Sequence, residues 1–140
     1  MTVLYSAEMA GLAEVPVSLP SGGVVDGNVR VKRSTITLAA QTTSDTIVIA
    51  KAISGESFLY GVLTASATLG ASATIAIGIT GTIAKYRAAA TFTAANTPTL
   101  FGTAAGAVTL AADEEIFITI ASASLPGSGT LVVDMYFSAT

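Results

Sequence analysis

From Val29 onward, apolar and polar residues alternate along most of this 140-residue chain, the period of a half-buried β-strand. In Ala73–Thr80, Ile75, Ile77 and Ile79 share one face while Thr74, Ala76 and Gly78 occupy the other, a face so small that something is expected to pack closely over it. Ile116, Ile118 and Ile120 repeat the pattern in 115–121. Leu131, Val133, Met135 and Phe137 repeat it in 130–138, with Asp134, Tyr136 and Ser138 opposite. Thr46–Ala52 and Ser57–Ser66 read as further strands, and Leu100–Gly102 as a short element. Two segments depart from the pattern. Alternation slips at Arg33 within Arg30–Leu38, as at a bulge or a strand end. Thr82–Ala90 is rich in alanine, whose helix propensity favours a short helix or loop excursion there. Polar and Gly-rich turns separate the segments at Gln41–Asp45, Ser54–Glu56, Asn96–Pro98 and Leu125–Gly129. Seven or eight short strands at regular spacing predict an all-β domain over residues 29–140, an antiparallel β-sandwich of jelly-roll-like form.

Residues 1–28 follow a different pattern. Leu4–Glu14 permits a marginal helical turn, and Val15-Pro16-Val17-Ser18-Leu19-Pro20 ends it, because proline lacks a backbone donor and biases its predecessor toward extended geometry. The segment reads as an extended N-terminal arm with apolar anchors at Leu4, Tyr5, Met9, Leu12, Val15, Pro16 and Val17. Burying one large apolar side chain contributes roughly 1.5–3 kcal/mol. Ordering one backbone residue costs about 1–2 kcal/mol. With anchors at only some positions the arm about breaks even alone. It is expected to be loosely held in an isolated subunit and to gain order in a groove offered by a neighbour.

Composition narrows the chemistry. The chain has no Cys, His or Trp, so thiolate sites, disulfides and imidazole catalysis are excluded. Charged residues make up 11% of it against a hydrophobic fraction of 51%, and the net charge is −3. So few charges on so apolar a chain point to surface hidden in an assembly, and nothing invites nucleic acid. The most apolar stretch, Leu59–Ala84, is interrupted by Thr, Ser and Gly and makes no spanning helix of about 20 apolar residues. The first residues lack the pattern of a signal peptide, so a soluble protein made without export and without a membrane partner is expected. Asp113-Glu114-Glu115 reads as a solvated turn rather than a metal site, and no paired carboxylates suggest catalysis or a bound cofactor. Arg30, Lys32 and Arg33 form the basic cluster, either an ion-pairing patch toward an acidic neighbour or a charged edge that resists aggregation. Tyr60, Tyr86 and Tyr136 are candidate interface anchors or half-buried strand residues.

A small Ala-, Thr- and Gly-rich β-protein with a short apolar arm and a closing stretch such as Leu125-Pro126-Gly127-Ser128-Gly129-Thr130-Leu131-Val132-Val133-Asp134-Met135-Tyr136 resembles the virion proteins of tailed bacteriophages, and among them the capsid decoration, or cement, proteins. The resemblance implies a non-enzymatic structural protein, made in the host cytoplasm, that binds the exterior of the capsid and stabilises it. Its implied partners are the major capsid protein or other virion subunits and further copies of itself, as a homotrimer. A tail or head–tail joining protein is the nearest alternative, and a carbohydrate-binding sandwich or adhesin a more distant one.

Overall fold

Leu131, Val133, Met135 and Phe137 are all buried, as their alternation predicts, and the strand that carries them lies in the interior of a sheet. The computed structural model describes residues 6, 9–19 and 27–139. A short 3-10 helix, Ala10–Ala13, precedes eight strands: β1 Asn28–Thr37, β2 Thr46–Ala52, β3 Ser57–Ala65, β4 Thr74–Ile79, β5 Thr82–Thr91, β6 Thr99–Phe101, β7 Glu114–Ala121 and β8 Thr130–Ala139. They form two four-stranded antiparallel sheets, in the orders β1-β8-β3-β6 and β2-β7-β4-β5. The first strand thus pairs with the eighth, the second with the seventh, the third with the sixth and the fourth with the fifth. This is one long antiparallel ribbon wound into two facing sheets, the jelly-roll form of the β-sandwich. Among the described residues no helix is long and apolar enough to cross a membrane.

The isoleucine strands face inward as their period dictates. Ile75 and Ile77 on β4 meet Ile120 and Ile118 on β7 in register, and Leu63 and Ala65 on β3 meet Val133 and Leu131 on β8. The two inner faces are keyed together by aromatic rings. Phe58 on β3 meets Tyr86 on β5 edge-to-face at 4.8 Å and Phe137 on β8 at 5.6 Å, and stacks beside Phe101 on β6 at 6.3 Å. The Phe101 ring lies on the backbone of Gly61, where a Cβ would come 2.1 Å from it, so only glycine leaves room. The small face of β4 has a similar cause at one point. A Cβ on Gly78 would sit 2.2 Å from the carbonyl oxygen of Thr82, where β5 turns back over it.

Two local expectations are corrected. Thr82–Thr91 is neither helix nor loop but the edge strand β5. Tyr86 is its one fully enclosed side chain, and its pairing with β4 shifts register between Ile75 and Ile77 and again between Ile77 and Ile79, which erases period-two alternation. The Arg87 guanidinium donates to the carbonyls of Ile75, Ala90 and Thr91, satisfying acceptors that the irregular ladder leaves open. Nor does β1 bulge at Arg33: it runs in unbroken register with β8 from Asn28 to Thr37. The slip arises because Arg30 and Lys32 take the inward parity near the open end of the sandwich, where Lys32 reaches Glu56 instead of the apolar core.

Tyr86 donates a hydrogen bond of 2.6 Å to Glu114, which also receives Lys85. Burial, then the bond to Glu114, raises the Tyr86 phenol far above its ordinary value of 10.0. The folded chain therefore keeps this proton where the unfolded chain loses it, so stability should fall as pH rises above 10.0, and Tyr86→Phe should flatten that alkaline slope in denaturant melts. At neutral pH the same substitution should cost about 1.5–3 kcal/mol, the loss of one buried hydrogen bond to a charged acceptor. Gly61→Ala should cost about 1–3 kcal/mol by overpacking Phe101. Gly102→Ala, whose new Cβ would find its nearest neighbour at 3.6 Å, should cost far less in the same melts.

A candidate assembly interface

The outer face of the β1-β8-β3-β6 sheet is organised in rows, because residues paired across an antiparallel ladder share a face. One row runs Val31, Tyr136, Tyr60. The next runs Arg33, Asp134, Val62, Leu100 across all four strands. Val29 and Ser138 precede them, and Thr35, Val132 and Thr64 follow. Tyr60 and Tyr136 stack at 4.6 Å with their planes 17° apart. Val29, Val31, Tyr60 and Leu100 are exposed, Leu100 to 70%. A run of aliphatic and stacked aromatic side chains therefore faces outward from a rigid sheet, the kind of surface that marks a protein contact.

The charges within this face cancel locally. Arg33 donates from Nε and Nη2 to the two carboxylate oxygens of Asp134, at 2.6 and 2.7 Å. The guanidinium closes over Asp134, which is buried although it lies on the outer face, and the bond to Asp134 raises the Arg33 pKa further above its ordinary value. Lys32 lies on the other side of the same strand. It pairs at 3.1 Å with the buried Glu56, sits over the Phe137 ring, and leaves Glu56 to accept the Ile53 amide as well. The clustered basic residues of the sequence thus point to two sides of β1, and two of the three are spent on partners within the chain. Arg30 is exposed and has no ion-pair partner among the described residues. It lines a shallow open cleft of about 140 Å³ with Ile53, Ser54, Gly55, Glu56 and Ala139.

The acidic turn disperses in the same way. Asp113 accepts the Ser54 amide and pairs loosely with Lys51, while Glu114 takes Lys85 and Tyr86, so these carboxylates do not converge. Of the three strand tyrosines singled out as candidate anchors, Tyr86 is a core residue, while Tyr60 and Tyr136 form the outer stack. Sequence alternation identifies Tyr136 as outward. Its stacking on Tyr60 follows from the register shift between Phe58 and Tyr60, which no local pattern displays.

Among the arm residues, Leu4 and Tyr5 lie outside the described residues, and so does the Leu12 side chain. Met9 is half-buried at the start of the 3-10 helix. The Gly11 carbonyl accepts both the Glu14 and Ser18 amides and ties the turn to the following segment. Beyond it Val15 is 98% exposed, Val17 59% and Leu19 81%, and Pro16 is exposed with them. The whole net charge of −3 falls on residues 1–28, which hold Glu8, Glu14 and Asp26 and no basic residue, so that the charges of 29–140 sum to zero.

No protein-family model and no curated protein matches the sequence. Solved structures do match the fold. The chain is similar to one in the cyanophage Pam1 capsid asymmetric unit, at a TM-score of 0.68 and 19% identity over 81% of this chain and 86% of that one. It is similar to one in the capsid of Ralstonia phage GP4, at 0.65 and 16%, with the same coverage. A third is in the acidic stable capsid structure of the Helicobacter pylori bacteriophage KHP30, at 0.59 and 10%, covering 80% of this chain and 89% of that one. At these identities the likeness is one of fold, a jelly-roll sandwich shared with chains found in phage capsids.

The exposure of the outer face carries its own prediction. Val31→Lys and Leu100→Lys should leave stability within about 0.5 kcal/mol, since neither side chain is enclosed. Both should sharply shorten retention on a hydrophobic-interaction matrix, whereas Ile83→Lys, an exposed change on β5, should shorten it less.

Proposed function

We propose that this chain is a structural protein of a bacteriophage virion that binds the outside of the capsid and stabilises it, as a homotrimer. The observation that carries this reading is the rigid outer sheet face with its outward-facing Tyr60–Tyr136 stack, Val31 and Leu100, on a fold shared with chains of three phage capsid structures. A subunit that adds to a finished shell needs a stable core that folds alone and an apolar surface not consumed by that core. This chain has a continuous buried core and, outside it, an exposed apolar sheet face. The arm, residues 1–28, would supply a second contact through Leu4, Tyr5, Met9, Leu12 and the Val15-Pro16-Val17 segment, in addition to the sandwich of residues 29–140. The basic residues Lys32 and Arg33 serve the subunit's own stability, and Arg30 is left for a neighbour.

The role is non-catalytic. Among the described residues Glu56, Asp113, Glu114 and Asp134 are held in ion pairs, and none stands as a free pair that could divide acid and base roles. A sugar-binding platform is less well supported: the Tyr60–Tyr136 stack would need polar groups beside it to read hydroxyls, and Arg33 and Asp134 there saturate each other.

Two measurements test the reading. Purified protein should co-sediment with assembled capsids and raise the temperature at which they rupture; attachment to tails or to the head–tail joint alone would replace the capsid role with the joining one. Deleting residues 1–20 should leave the melting of the sandwich within about 0.5 kcal/mol of the intact chain, while co-sedimentation is largely lost. A truncated chain that binds normally, or fails to fold, would remove the arm from the proposal.

A further inference from the structure

The charges of this molecule are divided unevenly, and the division selects a partner for the cleft beside Arg30. The four ion pairs Lys32–Glu56, Arg33–Asp134, Lys51–Asp113 and Lys85–Glu114 neutralise most of the sandwich internally, and Arg87 is spent on backbone carbonyls. Arg30 is the cation left over among the described residues, at the end of β1 where the chain enters the sandwich. Glu56 does not claim it, since both its oxygens already accept from Lys32 and the Ile53 amide. Ile53, Gly55 and Ala139 give the cleft an apolar floor beside that charge, and Ile53 is 51% exposed. The arm presents the complementary set in short order: the carboxylate of Glu14, with no ion-pair partner among the described residues, followed by exposed Val15, Val17 and Leu19.

We propose that the Arg30 cleft receives the Glu14–Leu19 segment of a second copy, Glu14 meeting Arg30 and Val15 or Val17 covering Ile53. This rests on the reading of the chain as a self-associating virion subunit and names the contact that would build it. Within one chain both halves of the contact stay open, so the occupant comes from outside. Each copy offers one arm and one cleft built from different residues, so that copies can be joined head to tail in a heterologous contact. Contacts of that kind close into rings when the rotation permits, and a trimer is such a ring. Nine residue steps separate Leu19 from Asn28, a span of at most about 30–32 Å when extended.

Charge exchange tests this directly. Arg30→Glu and Glu14→Arg each place like charges at the contact and should weaken self-association, read by light scattering across a dilution series, by about tenfold or more. The double variant should return it to within a few-fold of the parent. Arg30→Gln removes the charge without reversing it and should give an intermediate loss if Arg30→Glu melts early. Single variants that associate like the parent, or a double variant that fails to recover, overturn the contact. Variants that keep their mass but expose residues 9–19 to protease would place the chain's own arm in the cleft, and loss of capsid co-sedimentation at unchanged mass would place the shell there. Either result overturns the proposal of a second copy. A parent protein that is monomeric at every concentration yet sediments with capsids defeats this inference and leaves the capsid reading standing; one that does neither defeats both.

Discussion

Phe58 keys the two sheets together, and most of the architecture depends on that junction. Its ring meets Phe137 and Phe101 from its own sheet and Tyr86 from the other. Aromatic pairs of this geometry add about 0.5–1.5 kcal/mol each beyond the area they bury. More important is what they locate. Tyr86 is the one side chain by which the edge strand β5 enters the core, and its hydroxyl ties that strand to Glu114 at the head of β7. Phe101 fixes the three-residue strand β6, which has too few ladder bonds to hold itself and lies on Gly61 instead. Both the shortest and the least regular strand are therefore held by aromatic side chains rather than by their ladders.

That division explains what the sequence revealed and what it concealed. Strands whose order comes from alternation were legible: β4, β7 and β8 present Ile75 and Ile77, Ile116 to Ile120, and Leu131 to Phe137 to a single core. β5 was not, because an edge strand with two register shifts and one anchor has no period to read, and alanine propensity then points elsewhere. The pairing of first strand with last, second with seventh and so inward is a property of long-range contacts, which residue patterns report only as a count of strands. The candidate interface divides in the same way. Tyr136 is outward by parity, but its partner Tyr60 depends on the shift around Leu59. The basic cluster at 30–33 is contiguous in sequence and split in space, because neighbouring strand residues point to opposite faces.

The scarcity of charge also acquires a structural meaning. Surface ion pairs between long flexible side chains contribute little, but these are more constrained. Arg33 holds Asp134 in a two-bonded fork on a rigid sheet, and Glu56 is enclosed with Lys32 above it. The sandwich meets its own charges almost completely. Its outer sheet face is left neutral as well as apolar, so that approach of another subunit displaces water from hydrocarbon without stripping an unpaired ion.

On the proposed assembly role, the neutral body and the acidic arm would divide the work. Apolar surface gives affinity but little direction, since a face such as Val31, Tyr136, Tyr60 and Leu100 accepts any flat hydrocarbon of similar shape. Charge placed on a separate segment supplies direction, because mispairing like charges is costly and pairing opposite ones fixes register. Placing that charge on the arm rather than on the sandwich has a further consequence. Arms that carry only Glu and Asp repel one another in solution, while a cleft with an unclaimed arginine attracts each of them singly. A subunit joined in the proposed way would resist the indiscriminate aggregation that a hydrophobic fraction of 51% otherwise invites, and would still have a defined way to join its neighbours.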